Sequence, residues 1–423
     1  MLKVFTASWA LLLGMLFLMV GNGVQGTLLG IRGAIEGFST GQMSIVMSAY
    51  FAGFLIGSRM APEMIRRVGH VRVFAALGSL ISAVLVLYAA IPDWIAWTVL
   101  RVLIGFAFSG VYVTAESWLN NTASNENRGQ ALSLYMIVQM LGIIAAQALI
   151  NFADPAGFLL FIIPSVLVSL AFAPILLSIS PAPTFGTTRS MSIRELYDVS
   201  PLGVVGIFLM GGVFSALFGM TAVWGTEAGL SILEISIFTA AIYFGGLVFQ
   251  YPIGWLSDKM DRRKLLVAVA LIGTGAGAFA VLVDLSFFWL LGVALIIGGI
   301  SNPLYSLLVA YTNDYVDTDQ MAAVSGGLLF VNGLGAIVGP LAIGWIMSVI
   351  GPSGFFLFII SLTALLALYA LYRMTQRPAP SVAESGPYAP VSPVVSAATV
   401  EAVLTEMTEQ MEEQKDEEKD GLS

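Results

Sequence analysis

Arg101 and Glu116 lie within one long apolar run, and an ionisable side chain there is a functional candidate because hydrocarbon makes its charge costly. At 1.5 Å per residue they stand about 22 Å apart along a helix, so they cannot pair directly. Arg101 can bind an anionic substrate, assist proton coupling, or hydrogen-bond unwound backbone of the first apolar run at its glycines. Glu116 can carry a proton or anchor a helix end and loop. Other chemistry is sparse. Cysteine is absent and His70 is the one histidine, which removes disulfides, thiolate metal sites and Cys nucleophiles and leaves no metal-ligand set. No intramembrane carboxylate pair is available for acid–base catalysis, and no G-x-x-x-x-G-K-S/T string for nucleotide binding. The expectation is a protein that is not an enzyme, with no metal, no cofactor and no nucleic-acid partner.

The elements that must position these residues are membrane spans. Of 423 residues, 58% are hydrophobic and 10% charged, with mean hydropathy +0.90, far more apolar than a soluble domain. Apolar runs of about 20 to 28 residues, each able to cross a hydrocarbon core of ~30 Å, cover 8–30, 41–61, 72–91, 95–117, 129–151, 157–178, 201–224, 233–256, 264–284, 287–311, 321–348 and 353–373. The expected fold is an all-α membrane protein with twelve transmembrane helices in two six-helix pseudo-symmetric bundles. The first run follows Lys3 as a secretory signal would, but it is too long and lacks a small-x-small cleavage site.

Two basic loops, IRRVGHVR at 65–72 and SDKMDRRK at 257–264, occupy matching places, an offset of 258 − 66 = 192 residues. The strings YFAG at Tyr50 and YFGG at Tyr243 repeat at nearly the same spacing. Such a repeat inside an apolar polytopic chain points to a transporter architecture. With these spans, one side collects the basic residues, from Arg59, Arg66 and Arg67 through Lys259, Arg262 and Arg263 to Arg373, while the other has Arg32. Basic loops stay cytoplasmic, so both termini are expected inside.

The longest internal connection divides the spans six and six, giving bundles at 1–178 and 201–373 joined by a linker at 179–200. Within it Ser192-Ile-Arg-Glu195 has capping-box spacing, so a short helix can start there before Pro201 opens the seventh span. Residues 374–423 carry ten of the 26 Asp/Glu and three of the 18 Lys/Arg, so the net charge of −8 belongs mostly to this tail. Pro378–Pro393 reads as extended or disordered. Val400, Val403, Leu404, Met407 and Met411 then repeat at helical spacing on an acidic background, which fits a partner-binding helix or a solvated tail. Its acidity argues against docking on an anionic leaflet.

The run GWLSDKMDRRK, Gly254–Lys264, resembles the Gly-x-x-x-Asp-Arg/Lys-x-Gly-Arg-Arg/Lys loop signature of the major facilitator superfamily, with Asp261 at the second Gly position. RVLIG at Arg101–Gly105 is similar to its Arg-x-x-x-Gly motif, and GLGAIVGP at Gly333–Pro340 to its Gly-Pro helix-bending motif. The resemblance covers residues 1–373. The strings GNGVQGTLLGIRG at 21–33 and AESWLNNTASNENRGQALSLYM at 115–136 are similar to the uncharacterised YcaD-like bacterial branch. The resemblance implies a secondary transporter of the bacterial inner membrane that moves a small organic solute by alternating access, coupled to protons, with Arg101 matching the arginine that assists coupling in the family. The fifth span lacks the Gly-Pro motif of drug antiporters, which leans towards uptake or facilitation. A rival reading is a non-transporting scaffold or sensor whose acidic tail recruits a protein partner.

By the same resemblance the cavity lies between spans one, four, seven and ten, which supply Asn22, Gln25, Arg101, Tyr112, Thr114, Phe214, Phe218, Trp224, Asn302 and Tyr305. Polar groups and aromatics with few charges suit a small neutral or amphipathic solute. Gly21, Gly23 and Gly26 allow close helix approach or unwinding, and Asn302-Pro303 is expected to interrupt the tenth span. The Asp258 loop, with Arg262 and Arg263, is expected to hold the outward-facing state against the fifth span near Glu126 and Arg128. In the first half Arg66 and Arg67 stand where the signature has its Asp, while the loop expected opposite carries Asp314, Asp317 and Asp319. The alternatives are a charge-reversed latch, Arg66 and Arg67 against Asp317 and Asp319, or carboxylates that merely cap the eleventh span.

Overall fold

The computed structural model describes residues 2–122, 128–176, 191–283, 286–316 and 320–376, together with Tyr388 and Val391. Among the described residues there is no strand. The first half comprises α1 (Leu2–Ile35), α2 (Thr40–Val68), α3 (His70–Ala90), α4 (Trp94–Thr122), α5 (Arg128–Leu149) and α6 (Leu159–Leu176). After the short α7 (Ile193–Val199), the seventh span is α8 (Pro201–Ser215) and α9 (Thr221–Glu227), joined by a π turn at Ala216–Met220. The remaining spans are α10 (Ile232–Ser257), α11 (Arg262–Leu282), α12 (Phe287–Asn313), α13 (Met321–Ile350) and α14 (Ser353–Met374). Eleven of these spans are long and apolar enough to cross a bilayer, and α6 completes the twelve as a shorter apolar helix. Outward-facing side chains such as Phe288, Trp345 and Leu368 are exposed at 74%, 69% and 65%, an apolar surface suited to lipid.

The duplication extends to the caps. Ser39 and Ser231 each cap the following helix in a full capping box, with Gln42 and Glu234 returning the bond, and each is preceded two residues earlier by a glycine at positive φ, Gly37 at 76° and Gly229 at 77°. These positions repeat at the offset of the basic loops. Glycine suits both turns because a Cβ disfavours positive φ. Ser192 and Glu195 form a third box on α7, and Pro201 occupies the first turn of α8, as their spacing predicts.

Packing repeats as well. In the first half α2 lies along α4, α1 along α5, and α3 against α6; in the second α10 lies along α12, α8 along α13, and α11 along α14. Two of these seams bring backbone against backbone. A Cβ on Gly105, which closes the RVLIG string, would collide with the Tyr50 carbonyl oxygen, and one on Gly298 with that of Ile242. Small residues allow such approach where the bilayer supplies no hydrophobic force between helices.

One pair of alternatives is resolved and one expectation corrected. α1 runs unbroken through Gly21, Gly23 and Gly26, with Gly21 against Val168 and Gly23 against Ala146, so the first two glycines serve close packing and not unwinding. α12 likewise continues through Pro303. The irregular backbone lies instead in the π turn of the seventh span, a feature often found at functional sites. Gly105→Ala is expected to destabilise the protein by about 1–3 kcal/mol, because backbone has to move to admit one methyl. Gly275→Ala, facing open space, serves as the control, and unfolding of both in detergent micelles measures the difference.

Candidate functional site

A cavity opens between the halves, with a void of about 1490 Å³ when the space at its mouth is included. Its wall contains Asn22, Gln25, Arg101, Tyr112, Phe214, Phe218 and Asn302 of the residues expected there. Trp224 and Tyr305 lie outside the lining. Trp224 stacks on Phe355 at 5.1 Å, Tyr305 packs edge-on against Phe214 at 6.2 Å, and the Thr114 hydroxyl donates to the Gly110 carbonyl of its own helix.

Arg101 anchors the wall. Its Nη1 donates to Gln25 Oε1 at 2.5 Å and its Nη2 approaches Met47 Sδ at 3.0 Å, while the guanidinium carbon stands 4.9 Å from the centre of the Tyr50 ring. Gln25 Nε2 then donates to Asn22 Oδ1 at 2.9 Å, Asn22 Nδ2 donates to the Tyr112 hydroxyl at 2.9 Å, and that hydroxyl points to Met19 Sδ at 3.4 Å. Every bond runs in the same direction, so each polarises the next. Asn22 and Gln25 share one face of α1 because they are three residues apart. The partner of Arg101 is thus a side-chain amide, and not unwound backbone.

Three buried polar atoms of lining residues have no hydrogen-bond partner: Arg101 Nε and Gln139 Nε2 from the first half and Asn332 Oδ1 from the second. The facing wall is aromatic, with Phe218 at 4.8 Å from Tyr243 and 5.2 Å from Phe214. Reasoning by spans one, four, seven and ten omitted Tyr50, Phe51, Gln139, Tyr243 and Asn332, which come from spans two, five, eight and eleven. A signal existed for two of them. Tyr50 and Tyr243 open the repeated YFAG and YFGG strings, and both face the cavity.

Glu116 is fully buried and accepts from the Tyr135 hydroxyl at 3.3 Å. Arg32, on the face opposite the basic loops, has its charge met by Glu36 at 2.6 Å and by the carbonyls of Pro155 and Ala156. The basic loops are also paired close to home. Arg66 and Arg67 grip Glu63 of their own helix at 2.7 and 2.6 Å, and Asp317, Asp319 and Glu126 lie outside the described residues. Arg262 bridges to Asp314 at the end of α12, 2.5 Å away, with both side chains 4% exposed, and Arg263 holds Asp261 at 3.0 Å. Asp258 stands 3.8 Å from Arg262 and accepts from the Tyr388 N–H. Burial pushes the Asp258 carboxyl above its ordinary range, against the opposing pull of that N–H and of Arg262.

The halves touch on the face away from the basic loops: Gly30 meets Ala222 and Val223, Gly344 meets Ser44, and the Thr40 hydroxyl donates to Glu227. Nearer the centre Ser48 Oγ donates to the Ile337 carbonyl at 2.6 Å, and further towards the basic face Arg59 lies 3.8 Å over the Phe330 ring. The cavity wall descends from Arg101 towards the basic face as far as Ser58, Met136 and Leu329.

A polytopic helical protein of this architecture, with a cavity between two related bundles, is a membrane transporter. The chain belongs to the major facilitator superfamily, whose sequence pattern, described as Major Facilitator Superfamily, matches residues 11–242 and 204–406. It is 28% identical over 371 residues to the uncharacterized MFS-type transporter YcaD of Escherichia fergusonii, covering 86% of this chain and 94% of that one. A Salmonella heidelberg protein of the same name is 26% identical over 357 residues, 84% and 92% of the two chains. Among solved structures, a mutant of the nucleoside transporter NupG superposes with TM-score 0.73 at 14% identity, over 86% of this chain and 99% of that one. A bacterial homolog of the human lysosomal transporter Spinster, inward-facing and occupied, gives 0.71 at 16% identity over 92% and 99%.

Gln25→Leu is expected to strip Arg101 of its side-chain oxygen partner and to cost about 1–3 kcal/mol, the penalty of an unsatisfied buried donor. Gln25→Glu, which keeps an acceptor, is expected to retain the fold. Thermal unfolding of purified protein distinguishes the two.

Proposed function

We propose that this chain is a secondary active transporter that carries a small amphipathic organic solute by alternating access, coupled to protons. The observation that carries the reading is the cavity lining, which combines Arg101, held by Gln25, with the side-chain amides of Gln139 and Asn332 and the rings of Phe214, Phe218 and Tyr243. A solute with polar groups for Arg101, Gln139 and Asn332 and a flat or apolar body for Phe214, Phe218 and Tyr243 matches that lining. Glu116 serves as the proton carrier in this reading, since a fully buried carboxylate in a span is costly unless it has a task. The basic face is cytoplasmic. On that basis, contact between the halves on the opposite face and a cavity reaching towards the basic one correspond to an inward-facing state. Asp258, Arg262 and Arg263, and Arg66 and Arg67 with Asp317 and Asp319, are the groups that rearrange when the inner side closes.

A panel of small organic solutes, offered to proteoliposomes under an imposed pH gradient, tests this. Solute flux should collapse with the gradient, and Glu116→Gln should make the remaining flux indifferent to it. Arg101→Ala should raise the half-saturating solute concentration about 10- to 100-fold, the loss expected for one charge-assisted hydrogen bond. Gradient-independent flux in the unaltered protein would make it a facilitator and remove Glu116 from the mechanism.

A further inference from the structure

Two residues of the tail are buried inside the second bundle. Tyr388 is 6% exposed and Val391 3%, although the composition around them suggests solvated chain. Tyr388 is held at three points: its N–H donates to Asp258 Oδ1 at 2.9 Å, its hydroxyl accepts from Gln250 Nε2 at 2.9 Å, and its ring lies on Gly254, where any Cβ would strike it. Val391 is held through its backbone. Its N–H donates to Ser306 Oγ at 3.0 Å, and its carbonyl faces the same oxygen at 2.9 Å. Gln250 Nε2 also reaches Ser306 Oγ at 3.1 Å, so α10 and α12 hold Tyr388 and Val391 through one connected network.

The location gives the contact its meaning. Asn302 lines the cavity, and Ser306 lies one turn beyond it on the same side of α12. Tyr243 lines the cavity from α10, and Gln250 lies about two turns beyond it towards the basic face. Gln250 and Ser306 each stand about two turns, roughly 10 Å, from the basic-face ends of their helices. Tyr388 and Val391 therefore lie between the cavity and that face.

We infer that the α10–α12 seam is a binding site for a short peptide segment, that its ligand is the chain's own Tyr388 and Val391, and that this segment restricts entry to the cavity from the basic face. Recognition is split in two. Ser306 reads the backbone of Val391 and so accepts extended peptide in general, while Gly254 and Gln250 form a seat for a phenol. Asp258, the carboxylate of the loop signature, is engaged by the Tyr388 N–H, so tail binding competes with any rearrangement that needs that carboxylate elsewhere. The segment is a removable stop, held by hydrogen bonds and one ring, and nothing in its grip depends on the identity of the transported solute.

The absence of native cysteine makes the test direct. Leu329→Cys on the cavity wall reports access when the purified full-length protein is labelled with a charged maleimide in detergent. Adding Tyr388→Ala should speed labelling about 5- to 30-fold, the range that a small loss of binding free energy produces. In a separate full-length variant, Ser306→Cys with Val391→Cys should form a disulfide under mild oxidation. A labelling rate that Tyr388→Ala leaves unchanged, or a cysteine pair that fails to cross-link in folded protein, overturns the inference.

Discussion

A guanidinium buried within a membrane span has to find in protein the solvation it would have had from water, and the central structure follows from how Arg101 does so. Its charge is met by an amide oxygen, a sulfur and an aromatic face, and not by a carboxylate. No described partner neutralises it, so the wall keeps a positive centre. The relay through Gln25, Asn22 and Tyr112 fixes the orientation of both amides, because a flipped amide would place donor against donor. α1 is thereby tied to α4 at Arg101 and again at Tyr112, and α2 joins through Met47 and Tyr50, all along the wall of the cavity.

That tie is useful only if the helices approach closely, and the glycine seams provide this. Gly105 against the Tyr50 carbonyl and Gly298 against that of Ile242 set α2 on α4 and α10 on α12. Tyr50 and Tyr243 are then presented to the void from equivalent places in the two halves. Symmetry ends with the chemistry. Both halves bring aromatic and amide side chains, Tyr50, Phe51, Asn22 and Gln25 from the first and Phe214, Tyr243, Asn302 and Asn332 from the second, but the charge of Arg101 belongs to the first half alone.

The basic loops illustrate how far a sequence pattern reaches. Their position beside span ends follows from composition, and their repetition from alignment. Their partners did not follow. Glu63 lies three and four residues before Arg66 and Arg67, the ordinary spacing for an exposed helical pair, and it takes both. Arg262 turns inward to Asp314 and is buried with it, a pairing that needs α11 and the end of α12 to lie side by side. Asp258 meets the backbone of Tyr388, 130 residues away in sequence, and no local pattern could have connected them.

The spans, the duplication, the capping boxes at Ser39, Ser192 and Ser231, and the two-sided distribution of basic residues are determined by the sequence itself. Each is a property of a short window or of one window compared with another, governed by bilayer thickness and local hydrogen bonding. Arg101 was legible as a candidate because a charge in an apolar run is conspicuous, and Gln25 and Asn22 because the family resemblance places the first span on the cavity. Tyr50, Gln139, Tyr243 and Asn332 were not, since their place on the wall depends on how each helix is rotated about its axis. Nor could hydropathy separate Trp224, which packs on Phe355, from Phe218, which faces the void. Helix rotation and tail placement were decided by tertiary structure alone, because they arise from packing between segments distant in the chain.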